Sequence, residues 1–177
     1  MDQRGVTENA GRERKLIDND GFCQQIRGLE DAMYALAYSI LRNDQDAADA
    51  ISESVLKAYC SLPELKNRNA FKSWMLKIVN NTSVEMLRKK LPTAQVGEDF
   101  DIPAEDDRLD CSTKMVLREA VDHLAQPYRT VVTLFYYEDL SVMEISAITG
   151  QSVIAIRKQL SRARTMLRES LNKEDFF

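Results

Sequence analysis

The stretch SVMEISAITGQSVIAIRKQLSRAR, residues 141–164, contains two helical patterns separated by a short break. Ser141 and Glu144 have the spacing of a capping box, in which two side chains reciprocally satisfy backbone donors at a helix start. Gly150 stands where the first helix must end, and Ser152 can cap the helix that follows. This order of a capped helix, a glycine turn and a second helix predicts a helix-turn-helix.

The second helix of this motif separates an apolar stripe from a basic outer face. At 100° per residue the apolar stripe, which must face a core, comprises Ile156, Leu160, Ala163, Leu167 and Leu171. Its outer side carries Ile154, Lys158 and Arg162, with Ala155 and Gln159 beside them and Arg157, Arg164 and Arg168 along one flank. An ordinary solvated face is the alternative, because cations also stabilise a helix C-terminus. The capped helix and turn before it favour a helix that reads base edges in a major groove.

Length and composition are those of a globular protein with room for two small domains. The chain has 177 residues, 44% apolar and 29% charged, and no long uncharged apolar run. We therefore expect no direct membrane insertion. The first fifteen residues are polar and lack the features of a secretory signal, so we predict a disordered tail over 1–15 and a cytoplasmic location.

Catalytic chemistry is poorly supported by the residue inventory. The three cysteines, Cys23, Cys60 and Cys111, stand far apart, and His123 is the only histidine. This set predicts neither a zinc site nor a disulfide framework. There is also no phosphate-binding glycine loop and no nucleophile elbow. We expect no catalytic residues, no metal, no cofactor and no enzymatic activity.

Charge is distributed unevenly along a chain whose net charge is −4. Residues 92–112 contain seven acids and one arginine, together with two prolines, and predict an acidic flexible linker. Residues 152–173 contain six basic residues and one acid. An anionic partner responds to such a local field more than to the total charge. The linker divides the chain into an N-terminal block, residues 16–91, and a C-terminal block, residues 113–177.

The N-terminal block has the periodicity of a helical bundle. Asn43 or Asp44 can cap a helix whose apolar face contains Ala47, Ile51, Val55, Ala58 and Leu62, and whose separate acidic stripe contains Asp46, Asp49 and Glu53. An earlier run from Ile26 to Leu41 and a later one from Phe71 to Thr82 are also helical, with a loop at 63–69 between them. The phase of Trp74 places it in the core.

The C-terminal block begins with a helical pattern over 115–124 and breaks at Gln126–Pro127. The following stretch, PYRTVVTLFYYE, has the composition of a strand. We prefer a helix, because proline suits a first helical position and Val131, Leu134 and Phe135 share a helical face. The predicted fold class is therefore all-α, with two small helical domains, the C-terminal one a helix-turn-helix domain.

Basic and amide side chains in the N-terminal block form a second candidate surface. Lys77, Asn81 and Arg88 share one helix face, and Lys66, Asn67 and Arg68 lie in the loop before that helix. Ordinary solvent exposure explains these residues equally well.

Three segments in this order resemble the extracytoplasmic-function (ECF) sigma factors of bacteria. They are AYSILRNDQDAADAISESVLKAY at 37–59, FKSWMLKIVNNTSVEMLRKK at 71–90, and VDHLAQPYRTVVTLFYYEDLSVMEISAITGQSVIAIRKQLSRAR at 121–164. The resemblance covers about 16–91 and 113–173. It implies a factor that binds the clamp and flap of core RNA polymerase, directs it to promoter DNA, and is controlled by an anti-sigma factor that can be membrane-bound.

The resemblance also implies roles for individual residues. The N-terminal block would be sigma region 2, with a clamp-binding surface at Asp46, Asp49, Ile51 and Glu53. Its contacts to the −10 element would come from Lys66, Asn67, Arg68, Asn69, Lys77, Asn81 and Arg88. The C-terminal block would be region 4, reading the −35 element with Ser152, Ile154, Ala155, Arg157, Lys158, Gln159 and Arg162.

Five positions depart from the family pattern: Ser52, Val55, Ile154, Ala155 and Gln159. The last three lie on the DNA face, where Ile154 could meet a thymine methyl and Gln159 an adenine edge. Two alternatives stay open at this point. One is a stand-alone helix-turn-helix regulator, and the other is a sigma-like adaptor that binds polymerase without opening DNA.

Overall fold

The computed structural model describes residues 17–90 and 113–174, and these residues form helices and turns without any strand. The all-α prediction is therefore confirmed. The predicted tail at 1–15 and linker at 92–112 lie outside the described residues. No helix in the described ranges is long and apolar enough to cross a membrane.

The N-terminal block consists of four α-helices: α1 Asn19–Arg27, α2 Glu30–Leu41, α3 Asp44–Ser61 and α4 Phe71–Lys90. Asn43 caps α3, since its side chain accepts from the backbone N–H of Asp46 at 3.0 Å. The expected loop before α4 contains two 3₁₀ turns, Leu62–Glu64 and Arg68–Ala70. The single early run predicted from Ile26 is divided instead, because α1 ends at Arg27 with Gly28 as its C-cap and α2 starts after Leu29.

The C-terminal block contains α5 Thr113–Asp122, α6 Tyr128–Val132, α7 Val142–Thr149 and α8 Val153–Glu174. The choice of helix over strand after Pro127 is confirmed, although Pro127 caps α6 and Tyr128 is its first residue. A π-helical turn, Thr133–Tyr137, extends α6. Packing explains this outcome, because Val131 and Leu134 are both fully buried on one helical face.

The helix-turn-helix consists of α7 and α8, as predicted. Gly150 ends α7 with φ 74°, a left-handed conformation that favours glycine. Ser152 caps α8, where its hydroxyl accepts from the N–H of Ala155 at 3.2 Å. The expected core stripe of α8 is in place, with Ile156, Leu160 and Ala163 at most 3% exposed.

The two blocks pack directly against each other. Helix α4 contacts α7, and α2 contacts α6 and the π-helical turn. Buried apolar residues of both blocks belong to one continuous cluster, which includes Met33 and Val79 from the first block and Val131 and Ile145 from the second. The first helix of the helix-turn-helix therefore rests on the last helix of the N-terminal block.

Polar contacts across this interface centre on Arg129 and Ser39, which are 5% and 3% exposed. The guanidinium Nε of Arg129 donates to the backbone carbonyl of Ser39 at 2.7 Å. The Ser39 hydroxyl lies 3.0 Å from that of Thr130, and the Gln126 amide also donates to the Ser39 carbonyl at 3.4 Å. Buried polar groups thus find partners in the opposite block, as burial requires.

Two ion pairs border the same interface. Arg42 Nη1 lies 3.4 Å from an Asp122 carboxylate oxygen, and Lys72 Nζ lies 3.2 Å from Glu138 Oε2. Lys72 also donates to the backbone carbonyl of Glu138 at 3.1 Å. Each pair joins one residue of the N-terminal block to one of the C-terminal block.

Candidate nucleic-acid interface

The outer face of α8 is exposed where the sequence predicted contacts to DNA. Ile154 is 67% exposed, and Arg157, Lys158 and Arg162 are also exposed. Arg162 Nη1 lies 3.4 Å from the Tyr128 hydroxyl of α6, a long contact that leaves most of the guanidinium accessible. This face offers three cations and one apolar side chain to a partner.

Gln159 does not have the free amide edge that a base contact requires. Its Nε2 donates to Gln151 Oε1 at 2.7 Å, and its Oε1 is buried without a hydrogen-bond partner among the described residues. Ala155 is half-buried beside it. The predicted −35 residues on α8 therefore divide into an exposed set and two half-buried residues, Ala155 and Gln159.

The capping box at the start of α7 fixes the helix that supports α8. The Ser141 hydroxyl accepts from the Glu144 N–H at 3.3 Å, while Glu144 Oε2 accepts from the Ser141 N–H at 2.9 Å and from its hydroxyl at 2.7 Å. These hydrogen bonds to the carboxylate lower the pKa of Glu144. Both members of the predicted motif thus take the predicted roles.

The outer face of α3 carries the acidic stripe. Asp49 and Glu53 are exposed, and Asp46 is half-buried and paired with Lys90 of α4. Glu53 Oε1 lies 2.7 Å from Lys57 Nζ, a hydrogen bond that raises the pKa of Lys57. This face is therefore acidic, with two of its carboxylates already paired to lysines of the same block.

The apolar residues Ile51 and Leu56 of α3 differ in their exposure. Ile51 is half-buried and packs against the core cluster, as its place in the apolar series of α3 predicted, and its role at the clamp-binding surface stays a prediction. Leu56 is 68% exposed, one turn beyond Glu53, and sequence reasoning missed it. The signal was present, because Leu56 falls outside the apolar series that begins at Ala47 and shares the phase of Asp49 and Glu53.

The predicted −10 residues lie along α4 and in the turn before it. Lys66, Asn67, Arg68 and Asn69 are exposed in the turn, and Lys77, Asn81 and Arg88 are exposed on α4. The side chain of Asn67 accepts from the N–H of Asn69 at 2.9 Å, which holds the turn.

Trp74 is half-buried, and its ring centroid lies 5.7 Å from that of Phe71. It packs against the core cluster, as its phase predicted. Its position leaves the exposed face of α4 to the basic and amide side chains.

Comparison with known proteins identifies both blocks. The family models for sigma-70 region 2 and sigma-70 region 4 match residues 26–91 and 114–167. The sigma factor SigV of Bacillus subtilis is 34% identical over 142 residues, which cover 80% of this chain and 86% of SigV. The ECF sigma factor SigW of the same organism is 27% identical over 173 residues, covering 89% of this chain and 92% of SigW.

Solved structures share the fold. The sigma factor RpoE of Bartonella quintana, in complex with the anti-sigma factor NepR, superposes with a TM-score of 0.66 at 23% identity, covering 85% of this chain and 96% of that chain. CnrH, in complex with the cytosolic domain of CnrY, gives 0.64 at 20% identity, covering 88% and 90%. Taken with the matched regions and relatives, the chain belongs to the sigma-70 family as an ECF sigma factor, a protein that binds core RNA polymerase and directs it to promoters.

Proposed function

We propose that the two blocks, residues 16–91 and 113–177, divide promoter recognition between them. The observation that carries the proposal is the placement of an acidic face on α3 in one block and a basic face on α8 in the other. The first would hold polymerase and the −10 element, and the second would hold the −35 element and the flap. The protein would act in the cytoplasm and leave catalysis to the polymerase.

The clamp contact is assigned to Asp46, Asp49 and Glu53, with Leu56 one turn beyond Glu53 on the same face. An exposed leucine beside carboxylates supports this role, because interfaces combine an apolar anchor with a charged rim. Ile51 would contribute mainly by supporting α3, since its side chain packs inward. The pairing of Glu53 with Lys57 is a local contact that a basic clamp surface can replace.

The −10 contact is assigned to the exposed residues of α4 and its preceding turn. Promoter opening requires a protein to hold a displaced strand, for which basic and amide groups in one groove are suited. Lys77, Asn81 and Arg88 provide these groups along α4, and Lys66, Asn67, Arg68 and Asn69 provide them in the turn. Their shared exposure on neighbouring elements supports one continuous surface.

The −35 contact is assigned to Ile154, Arg157, Lys158 and Arg162 on α8, with Ser152 and Ala155 at the helix start. The N-terminal turns of a recognition helix reach base edges, while its flanks reach phosphates. Lys158 and Arg162 can donate to guanine or to phosphate oxygens, and Ile154 can contact a thymine methyl.

Reading both elements at once requires the two blocks to separate. Elements centred near −10 and −35 are about 25 base pairs apart, or roughly 85 Å of duplex at 3.4 Å per step. A compact chain of this length has a radius of gyration of about 16 Å, and is thus roughly 40 Å across. Residues 91–112 can span about 75 Å when fully extended, which permits the separation.

Control by an anti-sigma factor follows from the same arrangement. RpoE and CnrH, which share this fold, were solved in complexes with the anti-sigma factor NepR and with the cytosolic domain of CnrY. A partner that contacts both blocks would hold them together and prevent simultaneous reading of the two elements. Such a partner could be soluble or membrane-bound.

The proposal is tested by measuring binding to core RNA polymerase and to promoter duplex separately. We expect tight association of the full chain with core polymerase, and specific promoter binding only by the complex. Specific duplex binding without polymerase association would instead support a stand-alone regulator. Polymerase association without promoter opening would support an adaptor.

A further inference from the structure

The turn of the helix-turn-helix is held by contacts that converge on Gln151. The Ser146 hydroxyl of α7 donates to the Gln151 backbone carbonyl at 2.6 Å. The Thr149 hydroxyl accepts from the Gln151 N–H at 3.4 Å and donates to the Ile145 carbonyl at 2.8 Å. Both contacts come from α7, so they fix the backbone of Gln151 relative to the first helix.

A third contact joins Gln151 to the second helix. The amide nitrogen of Gln159 donates to the side-chain oxygen of Gln151 at 2.7 Å. These residues are eight positions apart, a separation that contacts along a single helix do not bridge. The bond exists because the chain turns at Gly150 and brings Gln151 back beside the second turn of α8.

The side-chain amide of Gln159 is directed at other parts of the protein and not at a base edge. A glutamine that reads adenine presents its amide oxygen and nitrogen together to the base edge. In this protein the nitrogen is bonded to Gln151 and the oxygen is buried, without a partner in the described part of the chain. If the oxygen and nitrogen of both side-chain amides exchanged places, Gln151 would donate to Gln159, and the two side chains would still share one hydrogen bond.

We propose that Gln159 is a positioning residue, which sets how firmly the −35 element is held and leaves the choice of bases to other residues. Through Gln151 it joins α7, the turn and α8, and so fixes the angle at which the first turns of α8 meet DNA. Ile154, Lys158 and Arg162 then carry the base and phosphate contacts. This inference rests on the proposed role of α8 at the −35 element.

The test uses the full chain with core polymerase on promoters in which each −35 base pair is replaced in turn. Gln159→Met keeps the length of the side chain and removes the bond to Gln151. We expect affinity to fall by about five- to tenfold on every promoter, the effect of one lost hydrogen bond, with the order of base preferences unchanged. Gln151→Met should give the same pattern, and the double variant should be no weaker than either single variant.

A rescue separates positioning from simple loss of stability. Gln151→Glu combined with Gln159→Lys replaces the hydrogen bond by an ion pair at the same place and should recover most of the affinity. A change of preference at one base pair with Gln159→Met would overturn the inference, as would unchanged affinity. If wild-type binding ignores the −35 sequence altogether, the assignment of α8 to that element fails instead.

Discussion

Arg129 donates from Nε to the backbone carbonyl of Ser39 at 2.7 Å, and this bond joins the two helical blocks at the centre of their interface. Its Nη1 donates to the carbonyls of Leu124 and Asp122 within its own block. Burial lowers the pKa of Arg129 to about 10, which still leaves it charged at neutral pH. The interface thus contains a buried cation that water can solvate when the blocks part.

Weakening the charged border of the interface should favour the open form. Asp122→Lys places a cation against Arg42, and Lys72→Glu places an anion against Glu138. Each reversal removes a half-exposed ion pair worth about 1 kcal/mol or less and shifts the open–closed equilibrium up to about fivefold. The radius of gyration, measured by small-angle X-ray scattering, should increase in both variants.

Glu119→Lys is the matched control for this experiment. Glu119 is exposed on the same helix as Asp122, and its carboxylate lies 4.0 Å from His123, which follows that helix. The same charge change at this site should leave the radius of gyration at the wild-type value. An equal increase in all three variants would mean that net charge, and not the interface, controls the separation.

Removing two cations from α8 should abolish −35-dependent initiation. Lys158→Ala with Arg162→Ala deletes contacts to phosphates or bases, so promoter affinity should fall by roughly tenfold or more. The slope of log affinity against log salt concentration should also become shallower, by up to about two. Binding to core polymerase should be unchanged. Arg168→Ala removes a cation on the flank of α8, farther from its N-terminal turns, and should have a small effect. A loss of polymerase binding in the double variant would show that the DNA face is misplaced.

The acidic face of α3 should give the opposite result. Asp49→Ala with Glu53→Ala removes two exposed carboxylates that would meet a basic clamp. Affinity for core polymerase should fall, and the thermal stability of the free protein should change little. Contacts of the assembled complex to the −35 element should persist at saturating polymerase. Normal clamp affinity together with altered promoter choice would contradict the assignment.

Leu56 provides a sharper test of that same face. Its side chain is 68% exposed, so replacement by serine should change the free energy of unfolding by less than about 0.5 kcal/mol. A leucine buried in an interface contributes about 1.5–3 kcal/mol, so polymerase affinity should fall by roughly tenfold or more. Titration of labelled core polymerase with the Leu56→Ser variant measures this loss. Unchanged affinity would remove Leu56 from the clamp surface.

The capping box should make α7 sensitive to acid. The folded-state pKa of Glu144 is below its ordinary value, so its stabilising contribution is present above about pH 4.5 and is lost as the pH falls through the folded pKa. Glu144→Gln keeps a capping side chain without a charge. The difference in melting temperature between wild type and this variant, measured by circular dichroism, should therefore disappear at low pH. A difference that stays constant as the pH falls well below 4.5 would contradict this explanation.

Local signals in the sequence were sufficient to predict most of the helices. The capping box at Ser141, the Asn43 cap and the left-handed Gly150 each depend on a few neighbouring residues, and the structure contains all three. The apolar stripe of α8 was predictable for the same reason, since helical periodicity is a local property. Family resemblance added the order of the two regions.

Contacts between distant residues could not be predicted in this way. The bond from Arg129 to Ser39 joins positions 90 residues apart, and nothing near Arg129 indicates a buried backbone acceptor. The bond from Gln159 to Gln151 depends on the angle between two helices, which the pattern of either helix leaves open.

Transcription reconstituted from purified core polymerase tests the central claim most directly. Templates should carry matched −10 and −35 elements or a scrambled version of either one, and the 5′ ends of the transcripts should be mapped. We predict discrete start sites that require this protein and that weaken when either element is scrambled. The absence of specific starts, with the protein bound to promoter duplex and not to polymerase, would contradict the account.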